Sequence, residues 1–323
     1  MKKISVIICA YTDDRWNHLI KAIKSIQQQT LRVTEVIVVT DYNSGLFVRL
    51  QQLKSDVVLL ENREKKGLSG ARNTGIAEAT GDVIAFLDDD AIAAPNWLEL
   101  LIMHYGESIL GVGGAVLPIW EGEKPTWFPD EFYWTVGCTY LGMPEATKPI
   151  RNPMGGAMFY RKEVFAEVGN FRYGLGRLEN IPLGCEETEL CIRARQHWPE
   201  SKFIYEPRAI IYHHIPFRRA NFNYFCSRCY SEGISKAFVV EMVGGTDGLS
   251  SERNYTFRTL PQGFLRGLAD AFHGDFSGLR RAGAIVLGLG FTAFGYIVGV
   301  FKRSAIRSDN HTVTTTLTQL NSE

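Results

Sequence analysis

Three consecutive acids, Asp88-Asp89-Asp90, interrupt the stretch GDVIAFLDDDAIAAPNWLE at residues 81–99. Carboxylates this close repel one another and raise each other's pKa, so the group makes most chemical sense with a divalent cation or hydrogen-bond donors to compensate it. Alternate residues of an extended segment face the same way, which predicts that Asp88 and Asp90 act together while Asp89 points elsewhere. The plainer alternative is an acidic loop in which an Asp caps the helix starting near Pro95-Asn96-Trp97. A second acidic group opens GCEETELCIRAR at 184–195. Carboxylates in a first turn favour the helix dipole, but Glu186 and Glu187 could instead face a pocket, where partial desolvation makes a general base. His213-His214 ends an apolar run and is a candidate third metal ligand, with a satisfied core histidine as the alternative. In NREKKGLSGARNTG at 62–75, Lys65, Lys66 and Arg72 can meet phosphate oxygens, and Gly67 and Gly70 permit close backbone approach. The pattern is neither GxxxxGK[ST] nor GxGxxG, so a solvated basic turn stays open.

These residues need a frame, and the apolar runs supply one. Residues 83–87 form a buried strand after the turn Thr80-Gly81-Asp82, delivering the three acids at its carboxyl end. Residues 4–9 are a β-branched run ending in Tyr11-Thr12-Asp13-Asp14, and 33–39 give a second strand that ends in Thr40-Asp41. A helix carrying Leu19, Ile20, Ile23 and Ile26 lies between them; a helix at 47–53 and a strand at 57–60 follow. Strand, helix, strand, helix, strand is the rhythm of a doubly wound α/β sheet, whose ligands bind beyond the carboxyl ends of its strands. Further strands are expected at 112–119, 153–160, 203–205 and 209–212, and a helix at 162–168 stopped by Gly169. The aromatic loop WEGEKPTWFPDEFYW at 120–134 reads as a satellite core or as the lining of an acceptor groove.

A chain of 323 residues accommodates one large α/β domain with an appendage. Its 35 basic and 35 acidic residues leave no net charge, so no nucleic-acid partner is expected. Six scattered cysteines suit a reduced protein, and Cys226-Ser-Arg-Cys229 has knuckle spacing without a second pair. Lys2-Lys3 before an apolar run imitates a signal peptide, but 11–15 end that run too soon, so the segment is read as a retained strand.

Towards the C-terminus, Gly244-Gly245-Thr246-Asp247-Gly248 reads as a loop, and Phe264, Leu265, Leu268, Phe272 and Leu279 make an apolar helix face with arginines nearby. Residues 284–301, AIVLGLGFTAFGYIVGVF, carry no charge and approach the roughly 20 residues of a membrane span. Gly295 and Gly299 have the spacing of packed helices, and basic residues at both ends leave orientation open. The expectation is a helix in or across the cytoplasmic leaflet, ahead of a full span or a soluble core helix. The division expected is a catalytic domain at 1–235, a membrane-associating helical region at 236–303 and a polar disordered tail at 304–323.

In order, SVIICAYTDD, EVIVVTD, GLSGARNTG, GDVIAFLDDDA, NPMGGAMFYRKEVFAEVGNF, GCEETELCIRAR and YHH resemble the blocks of an inverting family-2 glycosyltransferase. The resemblance runs from residue 4 to about 219. It implies the α/β GT-A fold, a Rossmann-like, mostly parallel mixed sheet with helices on both faces, here followed by a helical hydrophobic C-terminal segment. It implies that Asp88 and Asp90 are a DxD pair, the first near the donor ribose and the second on a Mn²⁺ or Mg²⁺ ion that His213 can reach. Donor contacts then fall to Tyr11, Asp13, Asp41, Arg72, Asn73, Asp88 and Asp89, and catalysis to Glu187 with Glu186. Glu187 stands where the family usually has Asp, and Thr40 where it often has a second acid. TWFPDEFYWTVGC and the hydrophobic C-terminus further resemble the branch of glucosyl-dolichyl-phosphate glucuronosyltransferases and their bacterial relatives. That implies a nucleotide-sugar donor such as UDP-glucuronate, a polyprenyl-phosphate-linked or glycan acceptor, and the cytoplasmic face of the cell membrane. Readings left beside it are a cell-envelope transferase with another donor, a nucleotidyltransferase and a membrane-attached sugar-nucleotide binding protein.

Overall fold

The computed structural model describes residues 2–53, 56–177, 183–245 and 252–320, with side chains described to Phe301 except at position 253. Four short apolar strands, β1 (Ile4–Ala10), β2 (Glu35–Thr40), β3 (Val58–Glu61) and β4 (Val83–Asp88), lie parallel in the order β3-β2-β1-β4. Helices α1 (Trp16–Gln27), α2 (Ser44–Gln52) and α3 (Leu68–Glu78) connect them. β1, β2 and β4 are buried on both faces because alternate side chains enter two different cores. Val6, Ile8, Val38 and Leu87 pack with α1 and α2, whereas Ile7, Ile37, Val39 and Phe86 pack with α3.

β5 (Ala91–Ala93), α4 (Trp97–Ile102), β6 (Ile109–Trp120), β7 (Lys148–Ile150), β8 (Ala157–Arg161), α5 (Lys162–Val168), α6 (Glu186–His197) and β9 (Lys202–Ile215) complete the domain. β8 is antiparallel to both β4 and β6, and β6 runs parallel to β9, giving a mixed nine-stranded sheet with β5 at one edge and β7 added to β9. The expected strands at 203–205 and 209–212 are one strand, whose register shifts opposite Gly114 and Ala115. β5 and β7 carry no signal of their own length and are held by pairing to β9. β5 also removes the capping alternative for the acids: Asn96, not an Asp, precedes α4, and it makes no side-chain cap bond.

The aromatic loop is a satellite core. Phe128 and Phe132 are fully buried and between them meet Trp120, Trp127, Tyr133 and Trp134 at ring separations of 5.2–5.9 Å. Phe225 of α7 (Phe222–Val243) closes the cluster. Of the loop expected at 244–248, Gly244 and Gly245 are described and the remainder lies outside the described residues. A short helical turn and a π turn (Tyr255–Thr259) lead into α8 (Leu260–Phe272), and α9 (Ser277–Leu320) follows. The boundary expected at 235 falls inside α7, a single hydrogen-bonded element that packs on both the catalytic domain and α9. The backbone of 304–320 continues α9 where a disordered tail is expected, since an existing helix extends by one hydrogen bond per added residue; 321–323 lie outside the described residues.

α9 meets α7 through glycines. A Cβ at Gly295 would lie 2.0 Å from the Tyr230 carbonyl oxygen, and one at Gly233 would lie 2.1 Å from that of Thr292. Gly295→Ala must therefore part the helices, with an expected loss of about 1–3 kcal/mol in chemical denaturation. Gly290→Ala, whose Cβ would meet nothing within 4 Å, is the control and is expected to cost nothing. Equal stability of the two variants would contradict this packing.

Candidate active site

The carboxyl ends of β1, β2 and β4 open into a cleft of about 430 Å³. Tyr11, Asp41, Tyr42 and Asn43 line one end, Asp88, Asp89 and Asp90 the middle, and His213, Arg177 and Arg219 complete the wall. β4 ends at Asp88, so the two-residue alternation expected along the acids stops there. Asp89 and Asp90 lie in a turn and share one guanidinium instead: Arg15 Nη1 donates to Asp89 Oδ1 at 2.6 Å and lies 3.0 Å from Asp90 Oδ2. Asp88 and Asp90 still contribute to one candidate ligand set that leaves out Asp89, while Arg15 ties Asp89 to Asp90 from the side.

Ligand atoms of Asp88, Asp90 and His213 lie within 4.8 Å of one another, the spacing of a set that could hold a divalent cation. β9 brings His213 there by pairing with Ala91, three residues beyond Asp88. His213 Nε2 lies 3.0 Å from Asp90 Oδ1, while Asp90 Oδ2 is buried without a hydrogen-bond donor among the described residues. That oxygen, ion-paired with Arg15 but accepting no hydrogen bond among the described residues, and the mixed carboxylate–imidazole donor set fit a hard or borderline cation. Burial opposes a charged Asp90, but His213, Arg15 and Arg219 overcome it and hold the carboxyl well below its usual range. Burial raises Asp89 to about 6 against the pull of Arg15.

Asp41 lines the cleft, but its two oxygens accept from Asn62 Nδ2 at 2.6 Å and Gly67 N at 2.9 Å, an arrangement that shapes the 62–75 loop. That loop brings Lys66, Gly67 and Leu68 to the wall. Asp13 is half-exposed beside Arg49 at 3.6 Å and does not line the cleft. Asn73 turns inward, exchanging hydrogen bonds with the Phe171 backbone at 2.9 and 3.1 Å. Arg72 is also buried: it donates to Glu186 Oε1 at 2.8 Å and the Gly155 carbonyl at 2.9 Å, and lies 3.8 Å from Asp88 Oδ1. Asn73 is thus placed away from any cleft ligand, and Arg72 behind Asp88.

Gly155 and Gly156 set the distance between the two acidic groups. A Cβ at Gly156 would lie 2.5 Å from Asp88 Oδ2, and one at Gly155 would lie 3.8 Å from both Glu186 Oε1 and Glu187 Cδ. Glu186 is committed to Arg72, whereas Glu187 has no ion pair among the described residues. Burial first and the charge of Glu186 second push the Glu187 carboxyl up to about 8. Arg15, Arg177 and Arg219 are charged cleft residues that sequence reasoning missed. Arg15 and Arg219 lie close to Asp13 and His213 in the chain, whereas Arg177 carries no such signal.

The fold and this cleft define a glycosyltransferase of the GT-A class. A mannosyltransferase from Pyrobaculum calidifontis, solved with GDP-Man and Mn²⁺, superposes with a TM-score of 0.58 at 15% identity over 94% of this chain and 86% of that one. GalNAc-T7, solved with UDP, GalNAc and Mn²⁺, superposes with a TM-score of 0.53 at 17% identity over 79% of this chain and 55% of that one. The glycosyl transferase family 2 profile matches residues 5–169. A Haloferax volcanii glucosyl-dolichyl phosphate glucuronosyltransferase is 32% identical over 96% of this chain and 100% of its own length. The chain belongs to glycosyl transferase family 2.

The raised Glu187 pKa has a consequence for stability. A carboxyl at about 8 when folded and near the ordinary 4.5 when unfolded stabilises the fold at low pH, and that contribution is lost as pH rises from 4.5 through 8. Glu187→Gln is therefore expected to leave stability unchanged near pH 4 and to raise it by up to about 5 kcal/mol above pH 8. Thermal melts across that range test this; parallel curves for the two proteins would refute the buried-acid assignment.

Proposed function

We propose that the chain transfers a glycosyl group from UDP-glucuronate to a polyprenyl-phosphate-linked sugar, with inversion at the anomeric carbon. The observation that carries the mechanism is the juxtaposition, across Gly155-Gly156, of the Asp88 carboxylate with a Glu187 that has no ion pair among the described residues. Donor and acceptor identities are carried from the Haloferax volcanii relative, which the chain matches end to end. Glu187 takes the proton from an acceptor hydroxyl, and a base near 8 suits transfer at neutral to mildly alkaline pH. Arg72 holds Glu186 in an ion pair, so Glu187 is the acid of the two that takes the proton. The hydroxyl attacks in line, opposite the leaving nucleotide, and no covalent enzyme intermediate is required. Asp88, Asp90 and His213 would hold Mn²⁺ or Mg²⁺, which supplies positive charge to the departing diphosphate. Tyr11 and Asp41, at the far end of the cleft, border the nucleoside.

The apolar surface of α8 and α9 suits a lipid-borne acceptor. Ser277–Phe301 is a 25-residue stretch apolar and long enough to cross a membrane, and it is mostly outside the protein interior. α9 is nevertheless bound along α7, which carries a chain of enclosed charges. Arg228 pairs with Glu232 at 2.9 Å, Glu232 with Lys236 at 3.4 Å, Lys236 with Glu252, and Glu252 with Arg151 at 2.8 Å. A transverse α9 would draw these charges towards hydrocarbon, at a cost of several kcal/mol each. We therefore read α9 as lying in the plane of the cytoplasmic leaflet, with Phe272 (91% exposed) and Phe276 (73% exposed) at the turn between α8 and α9 inserted.

Release of nucleoside diphosphate from UDP-glucuronate, UDP-glucose and GDP-mannose by detergent-purified protein tests the reaction. One donor is expected to turn over with Mn²⁺ or Mg²⁺ and polyprenyl-phospho-glucose. Glu187→Gln should lower kcat about 10²–10⁴-fold, and Asp90→Ala should abolish the metal requirement together with the activity. Undiminished turnover by Glu187→Gln would sink the mechanism. For the membrane seat, the double variant Phe272→Ser/Phe276→Ser is expected to leave phosphatidylglycerol vesicles in co-sedimentation where the wild type stays bound; equal binding would reject the inserted turn.

A further inference from the structure

Two buried polar atoms past the end of β9 have no hydrogen-bond partner among the described residues. Arg219 ends the 3-10 turn Phe217–Arg219; it is 4% exposed, and its Nη1 finds no hydrogen-bond acceptor, lying 3.9 Å from Asp90 Oδ2. In the first turn of α7, the Tyr224 hydroxyl is enclosed and equally unpartnered. Arg177 lines the cleft with Arg219. Burial opposes ionisation of the Tyr224 phenol, yet the charges of Arg177, Arg219, Arg228 and His213 bring its pKa below the ordinary value. Arg228 is neutralised by Glu232 at 2.9 Å, and His213 by Asp90 at 3.0 Å. The phenol is thus left without a hydrogen-bond partner among the described residues, as is Arg219 Nη1 one short turn before it in the chain. Orphaned donors of this kind call for an acceptor, and a phosphate supplies several on one negative centre.

The order of the sheet says which phosphate. Nucleoside-side residues come from the ends of β1 and β2 and the acids from β4; Arg219 and Tyr224 follow β9, across β4 from β1 and β2 in the sheet, and Arg177 joins them from the segment between α5 and α6. Phe217 and Phe222 flank Arg219 in the chain and are exposed, and the α7 that carries Tyr224 packs along the apolar α9. A buried cation rimmed by exposed aromatics suits a phosphate with a hydrocarbon tail. We propose that Arg177, Arg219 and Tyr224 form a second phosphate subsite, which takes the phosphodiester of the lipid-linked acceptor and is separate from the donor diphosphate. The inference rests on the lipid-linked acceptor argued above.

Steady-state kinetics of the full chain test it, with polyprenyl-phospho-glucose and uncharged dodecyl glucoside as alternative acceptors. The wild type is expected to prefer the charged acceptor. Tyr224→Phe and Arg177→Gln are each expected to reduce that preference, as a ratio of kcat/KM values, about tenfold through the acceptor KM. Arg219→Lys, which keeps the charge but loses the fork, should fall between them and the wild type. A preference unchanged in all three variants overturns the subsite. So does a defect confined to the affinity for UDP with Mn²⁺, which would assign these residues to the donor. A wild type inactive on both acceptors, while still hydrolysing its donor, would remove the lipid-linked reading itself and this inference with it.

Discussion

The guanidinium of Arg72 is the tie on which the catalytic end of the molecule depends. It comes from α3, lies between the rings of Phe86 and Phe171 at 5.5 and 5.2 Å, and joins Glu186 of α6 to the Gly155 carbonyl and the Asp88 carboxylate. Four separate stretches of chain thereby meet at one buried cation. Burial disfavours its charge, but Glu186 and Asp88 outweigh that and hold the proton more firmly than in a free arginine. Losing one partner of such a buried pair costs about 3–5 kcal/mol, because the other charge is left without compensation. The same geometry divides the labour of two adjacent acids, since Glu186 is neutralised and Glu187, next to it, is not.

A second cation, Arg15, does the corresponding work at the other end of the acidic turn. It neutralises Asp89 and half-neutralises Asp90, leaving the more exposed Asp88 with only a distant partner. The site thus grades its carboxylates from the enclosed Asp89 and Asp90, which share Arg15, to the more exposed Asp88. Small residues are what allow the crowding: any side chain at Gly156 would occupy the Asp88 carboxylate's position. All six cysteines are unpaired, and Cys226 and Cys229 lie on α7 as ordinary packing residues. Burial raises both thiols, so neither has the character of a nucleophile or ready metal ligand.

The C-terminal helices extend this architecture towards lipid without separating from it. α7 begins under the aromatic cluster of 120–134, contributes Tyr224 near the cleft, and ends against the glycine face of α9. The buried ladder from Arg228 to Arg151 fixes the rotation of α7 about its axis, because each charge has its opposite one turn or one loop away.

By itself the sequence determined the parallel half of the sheet, the placement of acids at strand ends, the aromatic satellite and the apolar C-terminal helix. Each is a local signal: β-branched runs such as 4–9 and 83–87, turn residues before them, and a charge-free stretch at 284–301. Tertiary structure alone decided that β5 and β7 exist, that Asp89 and Asp90 share Arg15, that Asn73 and Asp13 stand outside the cleft, and that Arg177 and Arg219 enter it. The physical reason is range. Strand and helix periodicity is written in neighbours a few residues apart, whereas Arg15 and Asp89 are 74 positions apart and Arg72 and Glu186 are 114. Which cation finds which acid is fixed only when the strands have paired and the cores have closed.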